Sequence, residues 1–531
     1  LRKILEIITL RFKGFKMRGQ LFAARVLAGF VLTICLWVIF VSSAAGQAAG
    51  PPDTLAELRA RIDALVNAPR FSRALWSVKV MSLTTGKTVY ENHGDRLMSP
   101  ASNTKLYTGA LALDTLGGDY QMATPVYATV APDDFGRING DLIIAGRGDP
   151  SWKATNFWDN FAPFVAVLTN VDVHHVTGNL VVDDTFFQGP PTGGSWSVED
   201  LEDSDGAEIS ALSLEDNTAE IHVLPGTNIS AVCALTLSPP DTQIILVNLT
   251  KTIAPGGSGD LERRSLEARK LPGSKTFYVF GELPLGGKGE ELDIPVPEPA
   301  VWFGSALKEA LAQNGIIVDG KVQCLAWPDT APWNETKLAK LGEAKSPPLR
   351  DLIRGFMKPS QNLETDLVFE HVGELSRKAN SRPGQSSEGL AVAALERFLR
   401  DKRIPDDVHF DEGSGLSRNN LTSANATTAL LAVMSTNRWA RDYFNALPIA
   451  GVDGTLRSRM RNTPAFQNVR AKTGTLRWAN SLSGYVTTAA GEKWVFSLML
   501  NRYDAPPRIN RTGELDSIAV MLAGFSGRSD E

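Results

Sequence analysis

Cysteine is nearly absent from this chain: Cys35, Cys233 and Cys324 are the only three in 531 residues. That excludes a disulfide-stapled scaffold and a thiolate zinc site, both of which need several cysteines at set spacings. Histidine is scarce too, with six scattered residues, no His-Glu-x-x-His run and no recognisable triad pattern. Neither a metal centre nor a histidine-based hydrolase is expected, and nothing calls for a cofactor. Beyond the first fifty residues no apolar run reaches eighteen, so the bulk of the chain is not a membrane domain. Repeats and low-complexity tracts are missing as well. Basic residues are not in surplus, 54 Lys and Arg against 59 Asp and Glu, which argues against a nucleic-acid partner.

What is present first is a leader pattern. The row opens on Leu1 and the first methionine is Met17, so residues 1–16 could precede the true start. Arg18 and Arg25 form a basic front, residues 26–41 an uncharged apolar run of sixteen, and Ser43, Ala44 and Ala45 a small-residue cleavage site. This is the three-part layout of a secretory signal over 1–47. At about 1.5 Å per residue the run covers roughly 24 Å, short of the ~30 Å hydrocarbon core. The alternative is a retained anchor giving loose membrane association. Either way the protein is expected outside the cytoplasm, in the periplasm or on the outer face of the cytoplasmic membrane. Without residues 1–47 the balance becomes 47 basic against 58 acidic residues, a net charge of −11. Cys233 and Cys324 would then sit in an oxidising compartment, where they either bridge or remain two buried thiols.

Along the chain, 54–67 has helical spacing of Leu55, Leu58, Ile62 and Leu65, and 77–95 reads as two strands around a Thr-Thr-Gly-Lys turn. A helix headed by Ser102 follows and stops near Gly117 and Gly118. From about 120 to 300 the chain is strand-rich with frequent Gly and Pro, and 304–324 reads as helix, glycine stop, strand. After about 345 it is helical. It then returns to three antiparallel strands over 469–503 and a final helix over 513–524. A mixed α/β unit is thus split by a β-rich insert. The expected boundaries are 48–119 and 340–531 for the unit and 120–339 for the insert, itself two nested small domains.

Three motifs could carry chemistry. Ser102 and Lys105 lie three apart, on one helix face, within reach of each other. A hydroxyl becomes a nucleophile when a base takes its proton, and a lysine can be that base if its pKa is lowered. The bland reading is an N-capping serine and a solvated lysine, and Ser305 with Lys308 repeats the spacing. Lys472, Thr473 and Gly474 occur once as Lys-Thr-Gly in a strand-like segment. There the glycine would admit another backbone or a ligand, and the lysine could hold a carboxylate. The bland reading is an edge-strand lysine beside a bulge. Ser360, Gln361 and Asn362 open a helix, but Ser417, Ser423 and Ser435 begin similar Ser-x-Asn triplets.

The order Ser-x-x-Lys, Ser-x-Asn, Lys-Thr-Gly is that of penicillin-binding proteins and serine β-lactamases. The chain resembles, more narrowly, the D-alanyl-D-alanine carboxypeptidase/endopeptidase family of low-molecular-mass penicillin-binding proteins (class C, penicillin-binding-protein-4-like, peptidase family S13). That family separates its first two motifs by a large insert, as the 258 residues from Ser102 to Ser360 do here. The stretches PASNTKLYTGALALDTLG, GRGDPSW, VVDDTFF, SALSLEDN, SPPLRDLIRGFMKPSQN, GSGLSRNNLT and LPIAGVDGTLRSRM fit it too, from about 54 to 525. Gln361 and Glu412 depart from it, each standing where the family usually has Asp.

The resemblance implies an antiparallel sheet flanked by helices and a serine DD-peptidase acting on peptidoglycan stem peptides, with β-lactams as covalent inhibitors. Ser102 would be acylated, with Lys105 as general base. Ser360 would relay a proton near Lys472, and Asn362 would bind the substrate amide and steady Lys105. Lys472, Thr473, Gly474 and Thr475 would line the carboxylate site, and the backbone N–H groups of Ser102 and Thr475 would form the oxyanion hole. A β-lactamase or esterase on the same scaffold, and a non-catalytic wall-binding protein, are the rival expectations.

Overall fold

The computed structural model describes residues 50–239, 242–255, 266–378, 381, 384–505, 510 and 512–530. The leader pattern lies outside them. Among the described residues no helix is long and apolar enough to cross a membrane.

The central sheet joins chain segments about four hundred residues apart. Its order is Arg470–Leu476, Ala479–Thr487, Lys493–Asn501, Leu75–Ser82, Thr88–Asn92, antiparallel throughout. The middle strands are apolar on both faces because both are covered, and alternate residues point to opposite sides. Leu482, Phe496 and Leu498 pack with Leu58 and Ile62 of the Leu55–Val66 helix and with Ile518 and Leu522 of the Gly513–Gly524 helix. Tyr485 and Val495 face a second core holding Leu111, Phe356, Val368 and Leu430. These come from the helices Thr104–Thr115, Leu349–Met357, Asn362–Leu375 and Ala424–Ser435. Helices therefore lie on both faces of an antiparallel sheet, the expected mixed α/β architecture.

Residues 123–345 carry further sheets. One has the order Val322–Ala326, Leu180–Asp184, Leu142–Ala145, Ala123–Ala128, Ala339–Lys345, with parallel and antiparallel pairs. Two three-stranded sheets are built from 218–295. Their inward residues, among them Val182, Ile221 and Phe277, share one core with Trp302, Phe303 and Leu307 of the Pro299–Gln313 helix.

Cys233 and Cys324 are not bridged; both are free. Cys324 lies on the Val322–Ala326 strand against Val182. The Cys233 backbone N–H is instead held by Thr250 Oγ1 at 2.9 Å, beside a different sheet. A shared core does not bring the two sulfurs together.

Candidate active site

Ser102 sits in a short 3-10 turn, Ala101–Asn103, that leads directly into the Thr104–Thr115 helix. The turn is sewn to the central sheet. Ser481 Oγ donates to the Pro100 carbonyl (2.6 Å), Asn103 Nδ2 donates to Ser483 Oγ (2.7 Å), and the Asn501 side-chain oxygen accepts from the Ser99 N–H (2.8 Å). Ala101 is held at φ +48°, a left-handed conformation that L-residues adopt at some cost and that the surrounding bonds maintain. Two glycines permit the approach. A Cβ on Gly415 (φ +90°) would lie 2.0 Å from the Ala101 carbonyl oxygen, and one on Gly474 would lie 2.5 Å from that of Pro100. Gly474 thus marks a close backbone approach, and its strand keeps regular register through Ser481 without a bulge.

Lys105 is not solvated; it is completely buried. Its Nζ is 3.1 Å from Ser102 Oγ, 2.6 Å from Asn362 Oδ1 and 2.7 Å from the Ser414 carbonyl. The Asn362 amide orientation is fixed because its Nδ2 donates to the Asp205 carbonyl (3.1 Å). Asn362 Oδ1 and the Ser414 carbonyl are acceptors only, so they take two N–H bonds. A neutral amine then has its lone pair left for the Ser102 hydroxyl. Burial brings the Lys105 pKa down to about 8, opposed by the charges of Asp366, Glu412 and Asp205.

Lys472 is also buried, and donates to Ser360 Oγ (2.7 Å) and the Thr473 carbonyl (2.8 Å). Burial, then the charge of Lys105, holds its pKa well below that of a free lysine. Ser360 lies in the break between two helices. Pro359 discourages continuation of the first, and Ser360 itself adopts φ +76°. Thr473 Oγ1 donates to Thr455 Oγ1 (2.7 Å), and Thr475 is exposed at the mouth. Ser102, Lys105, Ser360, Asn362 and Lys472 therefore converge from three separate chain segments.

The duplicates do something else. Ser305 donates to the Val301 carbonyl of its own helix, and Lys308 to the Gly320 carbonyl. Ser423 caps a helix, Ser435 bonds back within one, and Ser417 accepts from the Asn419 N–H. His371 is a satisfied core residue between Tyr120 and the Arg147 carbonyl, and burial lowers its pKa to about 4. Glu220, His222 and Glu291 bring potential cation ligands within 4.8 Å of one another on one small sheet, and none belongs to this site.

Sequence reasoning named Glu412 only as a departure from the family and missed Asp366 and the Ser414 carbonyl behind Lys105. Glu412 is buried and accepts from the Ser414 N–H (2.9 Å) and hydroxyl, the Gly415 N–H (2.8 Å) and Asn420 Nδ2 (2.6 Å). It shapes the loop that turns the Ser414 carbonyl toward Lys105. Asp366 accepts from the Gly413 N–H (3.0 Å), and burial with the Glu412 charge raises its pKa well above the usual range. The Glu-Gly-Ser-Gly signature was legible, but a backbone acceptor has no residue type to announce it.

A profile of the D-Ala-D-Ala carboxypeptidase 3 (S13) family matches residues 58–521. The chain belongs to that family. It is 32% identical over 485 residues to the D-alanyl-D-alanine carboxypeptidase of Actinomadura sp. (strain R39), covering 89% of this chain and 86% of that protein. It is 25% identical over 440 residues to D-alanyl-D-alanine carboxypeptidase DacB of Haemophilus influenzae, covering 82% and 86%. In three dimensions it superposes on the crystal structure of penicillin binding protein 4 from Haemophilus influenzae with a TM-score of 0.73 at 23% identity, covering 87% of this chain and 98% of the other. That protein has also been solved with a β-lactam bound. This S13 chain is thus a serine-type D-Ala-D-Ala carboxypeptidase with the penicillin-binding-protein fold.

Proposed function

We propose that this S13 peptidase is exported and cleaves the terminal D-Ala-D-Ala bond of peptidoglycan stem peptides through an acyl-enzyme on Ser102, with endopeptidase cleavage of cross-links by the same site. The observation that carries this is the buried Lys105 amine, 3.1 Å from Ser102 Oγ with its other hydrogens engaged. Lys105 takes the Ser102 proton as Oγ attacks the carbonyl. The oxyanion forms against the backbone N–H groups of Ser102 and Thr475. Ser360, bonded to Lys472, passes a proton to the leaving D-alanine nitrogen. Asn362 orients both Lys105 and the substrate amide, while Thr473, Gly474 and Thr475 line the carboxylate site with Lys472. Water then releases the acyl group. We take 48–119 and 340–531 as the catalytic unit and 120–339 as its insert.

A β-lactam presents a reactive amide to the same serine, as the β-lactam complex of the Haemophilus protein suggests. Mass spectrometry after benzylpenicillin treatment tests the reading. A stable adduct is expected on the peptide containing Ser102, absent in Ser102→Ala. Intact drug with no adduct would sink the proposal, and hydrolysed drug without an adduct would point to a β-lactamase.

A further inference from the structure

Outside the site, the molecule buries an acid with no partner. Glu370 lies on the Asn362–Leu375 helix, eight residues beyond Asn362 and so roughly 12 Å along the axis. It is 6% exposed, and among the described residues no group donates a hydrogen bond to it or pairs with it. Its carboxyl oxygens are not among the fully buried unpartnered atoms, so they open onto cavity space. Glu370 lines two cavities, of about 320 and 300 Å³, that meet at Gly189 and Pro190.

The larger cavity has apolar walls, including Phe187, Ile209 and Trp327, and three more acids: Asp184, Glu208 and Glu298. Those three are engaged. Asp184 accepts from the Ser210 hydroxyl and the Ala211 N–H, Glu208 from the Glu298 N–H, and Glu298 pairs with Lys275. Glu370 alone is not, and its charged neighbours, Glu388, Asp366 and Glu374, are all acidic. The cavity acids do not form a group whose oxygens lie close enough together to share one metal ion. The complementary ligand is therefore an organic cation with an apolar stem.

We propose that this cavity is a binding site for a primary alkylammonium group, its stem against Phe187, Ile209 and Trp327 and its charged end on Glu370. Burial, then the neighbouring acids, raises the Glu370 pKa well above that of a free glutamate. An entering ammonium favours the carboxylate form. The amine could be a free diamine or a lysine-type side chain on a peptide. The two share this chemistry and are separated by experiment.

Isothermal titration calorimetry on the full chain with 1,5-diaminopentane and with Nα-acetyl-L-lysine amide tests the site. At least one amine should bind, and the one that binds names the source. Glu370→Gln should weaken binding by about tenfold or more, and Ile209→Trp, which fills the cavity, should abolish it. Protein acylated with benzylpenicillin should bind the amine unchanged, and the untreated protein gives its answer whether or not Ser102 reacts. No heat with either amine at millimolar concentration would overturn the proposal. So would equal affinity in a folded Glu370→Gln variant, or equal binding of 1-pentanol.

Discussion

Lys105 decides the chemistry at the scale of single residues. Its amine is a base only when neutral, and burial sets the crossover near pH 8. The second-order rate of acylation by benzylpenicillin should therefore rise with pH through about 8 and level off above it. A profile flat between about pH 6 and 9 would remove Lys105 from the role of base. The same shift has a stability sign. An unfolded lysine keeps its proton up to about 10.5, whereas the folded one releases it near 8. The unfolded chain binds more protons between those values, so this group's contribution makes stability rise with pH across that window. The pairing of Ser102 with Lys105 was readable from their spacing. The pKa was not, because it depends on burial by residues more than 250 positions away, Asn362 and Ser414 among them.

Among the elements, the decisive feature is close approach. The nucleophile turn is gripped between the Arg470–Leu476 strand and the loop carrying Gly415, and both contacts lack room for a methyl group. Gly415→Ala would place a Cβ 2.0 Å from the Ala101 carbonyl and would also strain a φ of +90°. It should lower the acylation rate by about a hundredfold or more and destabilise the fold by roughly 1–3 kcal/mol. Stopped-flow acylation and denaturant melts would check this; wild-type rates would mean the turn does not need the contact. Asn103→Ala, which removes the tie to Ser483, should slow acylation by about tenfold or more, since ångström-scale misplacement is costly. An unchanged rate would assign Asn103 to packing alone. Most elements were legible beforehand from apolar periodicity and the Gly117 stop. Their meeting was not, since the Lys-Thr-Gly strand follows the nucleophile by some 370 residues.

Over the whole molecule, the segment carrying the further sheets, residues 123–345, also reaches the catalytic residues. The Asp205 carbonyl fixes the Asn362 amide, and Lys153 pairs with Glu364 on the same helix. Asn362, which orients Lys105, is thus itself held from that segment. Phe303 is fully buried in the core that those sheets share. Phe303→Ala should cost about 3–5 kcal/mol in denaturant melts, with the Ser102 acylation rate at 25 °C changed by less than about tenfold in the folded fraction. A larger loss of rate would show that packing in this core, beyond the Asp205 contact, controls the site.

Sequence alone determined the motif order, the mixed α/β class and the residues able to do acyl transfer, because periodicity and residue chemistry are local properties. Spacing alone could not choose between Ser102 with Lys105 and Ser305 with Lys308, and motif order and position chose the first; nothing in the sequence chose between a bridge and free thiols at Cys233 and Cys324. Tertiary structure decided the thiols. It buried Lys105 and Lys472, gave them the Ser414 and Thr473 carbonyls as acceptors, and set the two cysteines beside different sheets. The physical reason is that desolvation, backbone acceptors and close approach exist only between segments distant in the chain.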